Sequence, residues 1–139
     1  PLFIKYPYQQ DSKRITGLTS TVDLTPTILD TVGIGYPASW VDGYSLLQED
    51  AWQENRIIFS RKPKTSIYAV LKGSNRFLQH SQYGDYLFDI EKDPAEKQSL
   101  LPQTAAEEQQ KWKSYLHAYD NRLIYLNAGG AILDAPPLP

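Results

Sequence analysis

Short apolar runs separated by polar punctuation fill the middle of the chain. Arg56-Ile57-Ile58-Phe59-Ser60, Ser66-Ile67-Tyr68-Ala69-Val70-Leu71, Arg76-Phe77-Leu78-Gln79-His80 and Tyr86-Leu87-Phe88-Asp89-Ile90 each have strand length and β-branched or aromatic content. Lys72-Gly73-Ser74-Asn75, short and Gly-containing, reads as the turn of a hairpin. Together these runs predict an antiparallel meander of three to four strands. The period then changes. Trp112, Tyr115, Leu116, Tyr119, Leu123 and Leu126 recur at spacings of three and four, which places them on one stripe of a helix. Thr104-Ala105-Ala106-Glu107 has the spacing of a capping box before that stripe, and Gly129-Gly130 is a stop after Asn127. Asp93-Pro94-Ala95-Glu96 reads as a capped helical turn. Burying the helical stripe on one face of the meander gives an α+β layer pair.

The first fifty residues follow another pattern. Leu2-Phe3-Ile4 is an apolar triplet ended by Tyr6-Pro7. It reads as a buried strand that has too few partners here and wants neighbours on both sides, which fits a sheet whose other strands lie in another part of a longer protein. Residues 9–14 are polar and loop-like, and residues 15–22 are extended. Pro26 suits a first helical turn, with Asp23 or Thr25 as its cap. Ile28, Leu29 and Val32 share a face, and Gly33 suits the left-handed residue after the helix. Gly, Pro, Ser and Asp punctuate an irregular connection over 35–50. The expected organisation is therefore an N-terminal strand–helix piece over 1–50, an α+β unit over 51–130, and an extended or disordered tail over 131–139.

Composition narrows the partners. A net charge of −2 gives no electrostatic case for nucleic acid or an anionic membrane surface. No apolar run approaches the roughly 18 residues of a membrane span. With no Cys, disulfides, thiolate zinc sites and a thiol nucleophile are excluded from this segment. The chain has no Met and no visible secretory leader, and it opens like the middle of a fold. It is expected to be a piece of a longer protein.

Several stretches, in order, resemble the C-terminal part of sulfatases. Pro1-Leu2-Phe3-Ile4-Lys5-Tyr6-Pro7 resembles the family's last core strand. Thr21-Val22-Asp23-Leu24-Thr25-Pro26-Thr27-Ile28-Leu29-Asp30-Thr31-Val32-Gly33 resembles its aspartate-led helix. Asp42-Gly43-Tyr44-Ser45-Leu46-Leu47 resembles its Asp-Gly, Ser-Leu turn. Tyr86-Leu87-Phe88-Asp89-Ile90-Glu91-Lys92-Asp93-Pro94-Ala95-Glu96, with Ser99-Leu100, resembles its leucine–aromatic–aspartate strand and Asp-Pro turn. Tyr68-Ala69-Val70 and Arg76-Phe77-Leu78 resemble the hairpin between them. The match spans about residues 1–101.

The resemblance implies the alkaline-phosphatase superfamily: an α/β catalytic domain, of which residues 1–50 are the end, followed by a small antiparallel sheet packed on a helix. It implies a sulfuric ester hydrolase with a divalent metal, usually calcium, and a periplasmic or extracellular location. It also implies that the reaction centre belongs to an N-terminal catalytic part, the expected partner of this segment. The formylglycine motif, Cys/Ser-x-Pro/Ala-x-Arg, does not occur here, and no residue of this chain inherits a catalytic or metal role. Two alternatives remain at this point. One is the C-terminal region of a membrane-tethered phosphoglycerol or phosphoethanolamine transferase of the same superfamily. The other is a non-catalytic module that binds a glycan or a protein.

Individual candidates are weighed against plainer roles. Asp23 and Asp30, seven apart on one helix, are poorly placed for a calcium shell; capping and surface solvation suit them better. Asp89, Glu91 and Asp93 fit a strand end running into a capped turn. His80 and His117 have no partner at catalytic spacing. Ser45 and Ser60 sit in no nucleophile elbow. Arg61-Lys62-Pro63-Lys64 is the best surface candidate: Arg61, Lys62 and Lys64 are expected at the substrate entrance of the whole enzyme, attracting an anionic ester. The apolar Leu2-Phe3-Ile4 strand is expected to favour self-association when its neighbours are absent.

Overall fold

The computed structural model describes residues 2–6, 8, 10–15, 17–48, 56–62 and 67–130. The chain forms two compact units, Pro1–Gln53 and Glu54–Pro139.

The second unit is α+β. Its strands are β1 (Ile57–Lys62), β2 (Ile67–Lys72), β3 (Asn75–His80) and β4 (Gly84–Asp89), paired antiparallel in the order β1-β2-β3-β4. Lys72 faces Asn75 across a two-residue Gly73-Ser74 loop, so the hairpin expected from that dipeptide forms. Helix α2 (Ala106–Asn127) packs on one face of the sheet. Val70, Phe77 and Leu87 supply that face, and Trp112 and Leu116 come from the helix. Phe77 is fully buried, with its ring 6.3 Å from the Trp112 ring and nearly parallel to it. Each such buried side chain contributes about 1.5–3 kcal/mol. Tyr119 extends the stripe by stacking on Phe59 at 5.8 Å and donating to the Ile57 carbonyl.

The opposite face is also apolar. Strand alternation turns Ile58, Ala69, Leu71, Leu78 and Phe88 away from α2. Ala69 and Phe88 are buried. The free edge of β4 is partly paired: the Leu100 amide donates to the Leu87 carbonyl at 2.7 Å, and the Leu87 amide donates to Ser99 Oγ at 3.2 Å. This spares the edge some unmet backbone groups.

One expectation is corrected here. Thr104 does not cap α2. A preceding 3₁₀ turn, Leu101–Gln103, claims it: its amide donates to Leu101 O, and its hydroxyl donates to Leu100 O at 2.8 Å. Gln109 Nε2 instead reaches back to the Leu101 and Thr104 carbonyls. The tail over 131–139 lies outside the described residues.

In the first unit, one 3₁₀ turn (Thr21–Asp23) runs into α1 (Leu24–Thr31), with Pro26 inside the first turn and Gly33 at φ 72° after the end. Leu2-Phe3-Ile4 was expected to find its strand neighbours in another part of a longer protein. It pairs with no strand among the described residues, and Phe3 is 88% exposed. A lone strand has no ladder to complete. The segment instead lines a pocket with Leu24, Thr27 and Ile28 of α1.

Candidate functional site

Residues from 21–33 and 42–47, some twenty positions apart in the chain, meet at one point. Asp23 is completely buried. Its Oδ2 accepts the Ser20 amide at 2.7 Å, and its Oδ1 accepts the Tyr44 amide at 2.9 Å. One turn later, Thr27 Oγ1 donates to the Asp23 carbonyl at 2.6 Å and accepts the Leu46 amide at 2.8 Å. Alternate amides of the 42–47 segment are thus tied to successive turns of α1. Gly43 makes the approach possible: a Cβ there would lie 2.2 Å from the Val22 carbonyl oxygen and 2.7 Å from the Asp23 amide nitrogen. Such separations exclude any larger residue unless the backbone moves. Leu46 and Ser45 are buried beneath this contact.

Asp23 was expected to cap or to be solvated. Its carboxylate does serve the turn at Ser20, but it is not solvated, and its second oxygen binds a distant loop. The signal that a buried carboxylate would be needed was the neighbouring Asp42-Gly43: a glycine marks close backbone approach, and closely approached amides need acceptors.

Beside the clamp is a pocket of about 480 Å³ lined by Asp30, Tyr36, Asp42, Tyr44, Ser45 and Gln48 among others. Gln48 Nε2 donates to Asp30 Oδ2 at 3.1 Å. Tyr36 is held above the ordinary phenol range, first by burial and then by the charge and hydrogen bond of Asp30. Ser45 Oγ accepts the Leu47 amide at 3.3 Å, a local turn bond rather than contact with a base. Asp30 and its neighbours are therefore occupied in fixing loops to α1.

The basic run is divided by the strand. Arg61 faces α2: its Nη1 is 3.5 Å from Asp120 Oδ1, and its guanidinium lies 5.6 Å from the Tyr68 ring centre. Lys62 is exposed and has the opposite strand parity. Lys64, with Pro63, lies outside the described residues. The structure therefore does not bring Arg61 and Lys62 onto one face.

The remaining candidates have local roles. Asp89 pairs with Lys92 at 2.9 Å, and its Oδ1 accepts the Glu91 and Lys92 amides. The hydrogen bond from Lys92 is the main cause that holds the Asp89 carboxyl below its ordinary range, against a smaller opposing effect of burial. Asp93 Oδ2 accepts the Gln98 amide at 2.8 Å. His80 Nδ1 accepts the Gln82 and Tyr83 amides, which closes the β3–β4 turn. His117 and Ser60 are exposed. Among the described residues, no three His, Asp or Glu side chains converge as metal ligands. The described residues do not fit a calcium shell.

No family model matches the chain, and no curated protein matches it. Solved structures do. One, titled as BT4656 in complex with its substrate D-glucosamine-2-N,6-O-disulfate, aligns at a TM-score of 0.52 and 17% identity. It covers 76% of this chain and 24% of that one. The fold is sulfatase-like. A second structure, titled as BT1596, a 2-O GAG sulfatase, aligns at a TM-score of 0.46 and 21% identity with the same coverage; that score adds no weight. The chain spans about a quarter of the length of the structures it matches.

Proposed function

We propose that this chain is the C-terminal region of a sulfatase-like sulfuric ester hydrolase, in which it braces the catalytic part and borders the substrate entrance. The observation that carries this reading is the Asp23–Thr27–Gly43 clamp. Two stretches that resemble sulfatases separately in sequence are joined there by two side-chain hydrogen bonds and a forced glycine. The likeness to the BT4656 structure supports the fold beneath it. In this proposal the catalytic nucleophile and the calcium ligands belong to the preceding part of the longer protein, and the segment has no activity of its own. Lys62, with Lys64, supplies positive charge toward an anionic ester.

The test uses the longer protein containing this chain, assayed with calcium for sulfate release from aryl and carbohydrate sulfates. Sulfate release is the expected result. Phosphoryl transfer without sulfate release would replace the proposal with the transferase reading. Turnover by these 139 residues alone would contradict it outright. Lys62→Gln with Lys64→Gln should raise KM at low salt with kcat nearly unchanged; an unchanged KM removes the entrance role.

A further inference from the structure

We infer that the turn over residues 94–98 is a movable wall on the α2-distal face of the sheet, latched by the Arg76–Glu96 ion pair. On that face lies a pocket of about 480 Å³, lined by Ile58, Ala69, Leu71, Arg76, Pro94 and Glu96 among others. The floor comes from β1, β2 and β3. The turn supplies one wall.

The turn is anchored firmly at both ends and weakly between them. At one end the Ile90 amide donates to Ser74 O at 2.8 Å and the Asp93 amide to Asp89 O at 2.7 Å. At the other, Ser99 and Leu100 pair with Leu87 on the edge of β4. Between them, the Glu96 and Gln98 amides both bond back to Asp93 and not to the sheet. Among the described residues, the one hydrogen bond or ion pair that ties residues 94–98 to the sheet joins Arg76 Nη1 to Glu96 Oε1.

That tie works against a backbone cost. Glu96 sits at φ 51°, in the left-handed region that a residue with a Cβ normally avoids. The pair is partly solvated, with 36% of the Arg76 side chain and 27% of the Glu96 side chain exposed. A partly exposed ion pair returns little free energy, and salt weakens it. The strain of the turn and the return of the latch are therefore of similar size, so loss of the pair tips the turn open. An open turn widens the apolar pocket and bares the Arg76 guanidinium at its rim.

Hydrogen exchange of the 139-residue chain, read by NMR at the Glu96, Gln98 and Leu100 amides, tests this. Arg76→Gln and Glu96→Gln should each speed exchange at Glu96 and Gln98 by about threefold to tenfold, with Leu100 unchanged. Raising the salt to about 1 M should speed the same two amides in the wild type and leave them unmoved in Arg76→Gln. Glu96→Asn removes the charge but tolerates the left-handed backbone, so it should exchange more slowly than Glu96→Gln. Wild-type exchange rates in Arg76→Gln overturn the latch. Equal rates in the Asn and Gln variants remove the strain argument. Leu100 accelerating in step shows that the whole segment opens, and sinks the separate wall.

Discussion

Removing the Asp23 carboxylate tests the clamp directly. The side chain is completely buried and accepts two amides, from Ser20 and from Tyr44. In Asp23→Ala both donors lose their acceptor in a site where water has little access. Each orphaned, partly buried donor costs about 1–3 kcal/mol. Relaxation recovers some of this, so about 2–4 kcal/mol is expected for the pair. At about 1.4 kcal/mol per decade, the opening equilibrium of the 42–47 segment should rise by roughly 30-fold to 1,000-fold. Two measurements read this: amide exchange at Tyr44 and Leu46, and the urea midpoint of the first unit. The Leu46 amide is bonded to Thr27, not to Asp23. Its loss of protection in Asp23→Ala therefore reports cooperative release of the loop, while loss at Tyr44 alone reports only the missing bond. Thr27→Val, which removes the Leu46 acceptor while keeping the shape, should reproduce the Leu46 effect from the other side. Unchanged protection at both amides in Asp23→Ala would refute the idea that the carboxylate holds the two stretches together.

Three further outcomes follow from the same contacts. Gly43→Ala must displace the Val22–Asp23 backbone and should cost about 1–3 kcal/mol. Gly35→Ala, with open space around its Cβ, should be neutral or slightly stabilising; equal effects by urea titration would discredit the close approach. Trp112→Ala empties the centre of the helix–sheet core and should lower stability by about 3–5 kcal/mol. Ile124→Ala, at a half-exposed position, should change it by less than about 0.5 kcal/mol. The Asp89 carboxyl, held low in the folded state by Lys92, gives stability that is full above its unfolded value of about 3.9 and is lost as pH falls through the lower folded value. Lys92→Gln should raise the NMR-titrated Asp89 value toward the ordinary range, the Glu91 and Lys92 amides still holding it partly down, and an unmoved titration would show that the Lys92 side chain is not the cause.

The α+β unit was largely legible because its signals are local. The β2–β3 hairpin follows from apolar runs flanking Gly73-Ser74, and the α2 stripe from spacings of three and four that survive as Trp112, Tyr115, Leu116 and Tyr119 against the sheet. Strand ends moved by one or two residues, because pairing with a neighbour sets where a ladder stops. Thr104 misled for a related reason: the capping-box spacing is satisfied, but the upstream 3₁₀ turn competes for the same hydroxyl. The role of Asp23 was only half legible. Its service to Ser20 is a three-residue pattern, whereas its bond to Tyr44 spans 21 positions, and no local period encodes it.

The basic run shows how a linear motif can mislead about charge. Arg61-Lys62 reads as one cationic patch only if both side chains reach the same solvent, and a strand forbids that by sending neighbours to opposite faces. Arg61 takes the α2 side, where an acid on the helix and a tyrosine on the next strand receive it. Its charge is spent inside the unit, so the attraction it offers a distant anion is screened by Asp120 close by. The α2-distal face is the reverse case. There the residues facing outward between charged neighbours are Ile58, Ala69, Leu71, Leu78 and Phe88, and the Arg76–Glu96 pair neutralises itself. Arg61 and Arg76 are thus each paired with an acid of the same unit, on opposite faces of the sheet. Apolar residues on both faces are the pattern of a sheet covered on both sides, rather than of one with a solvated face.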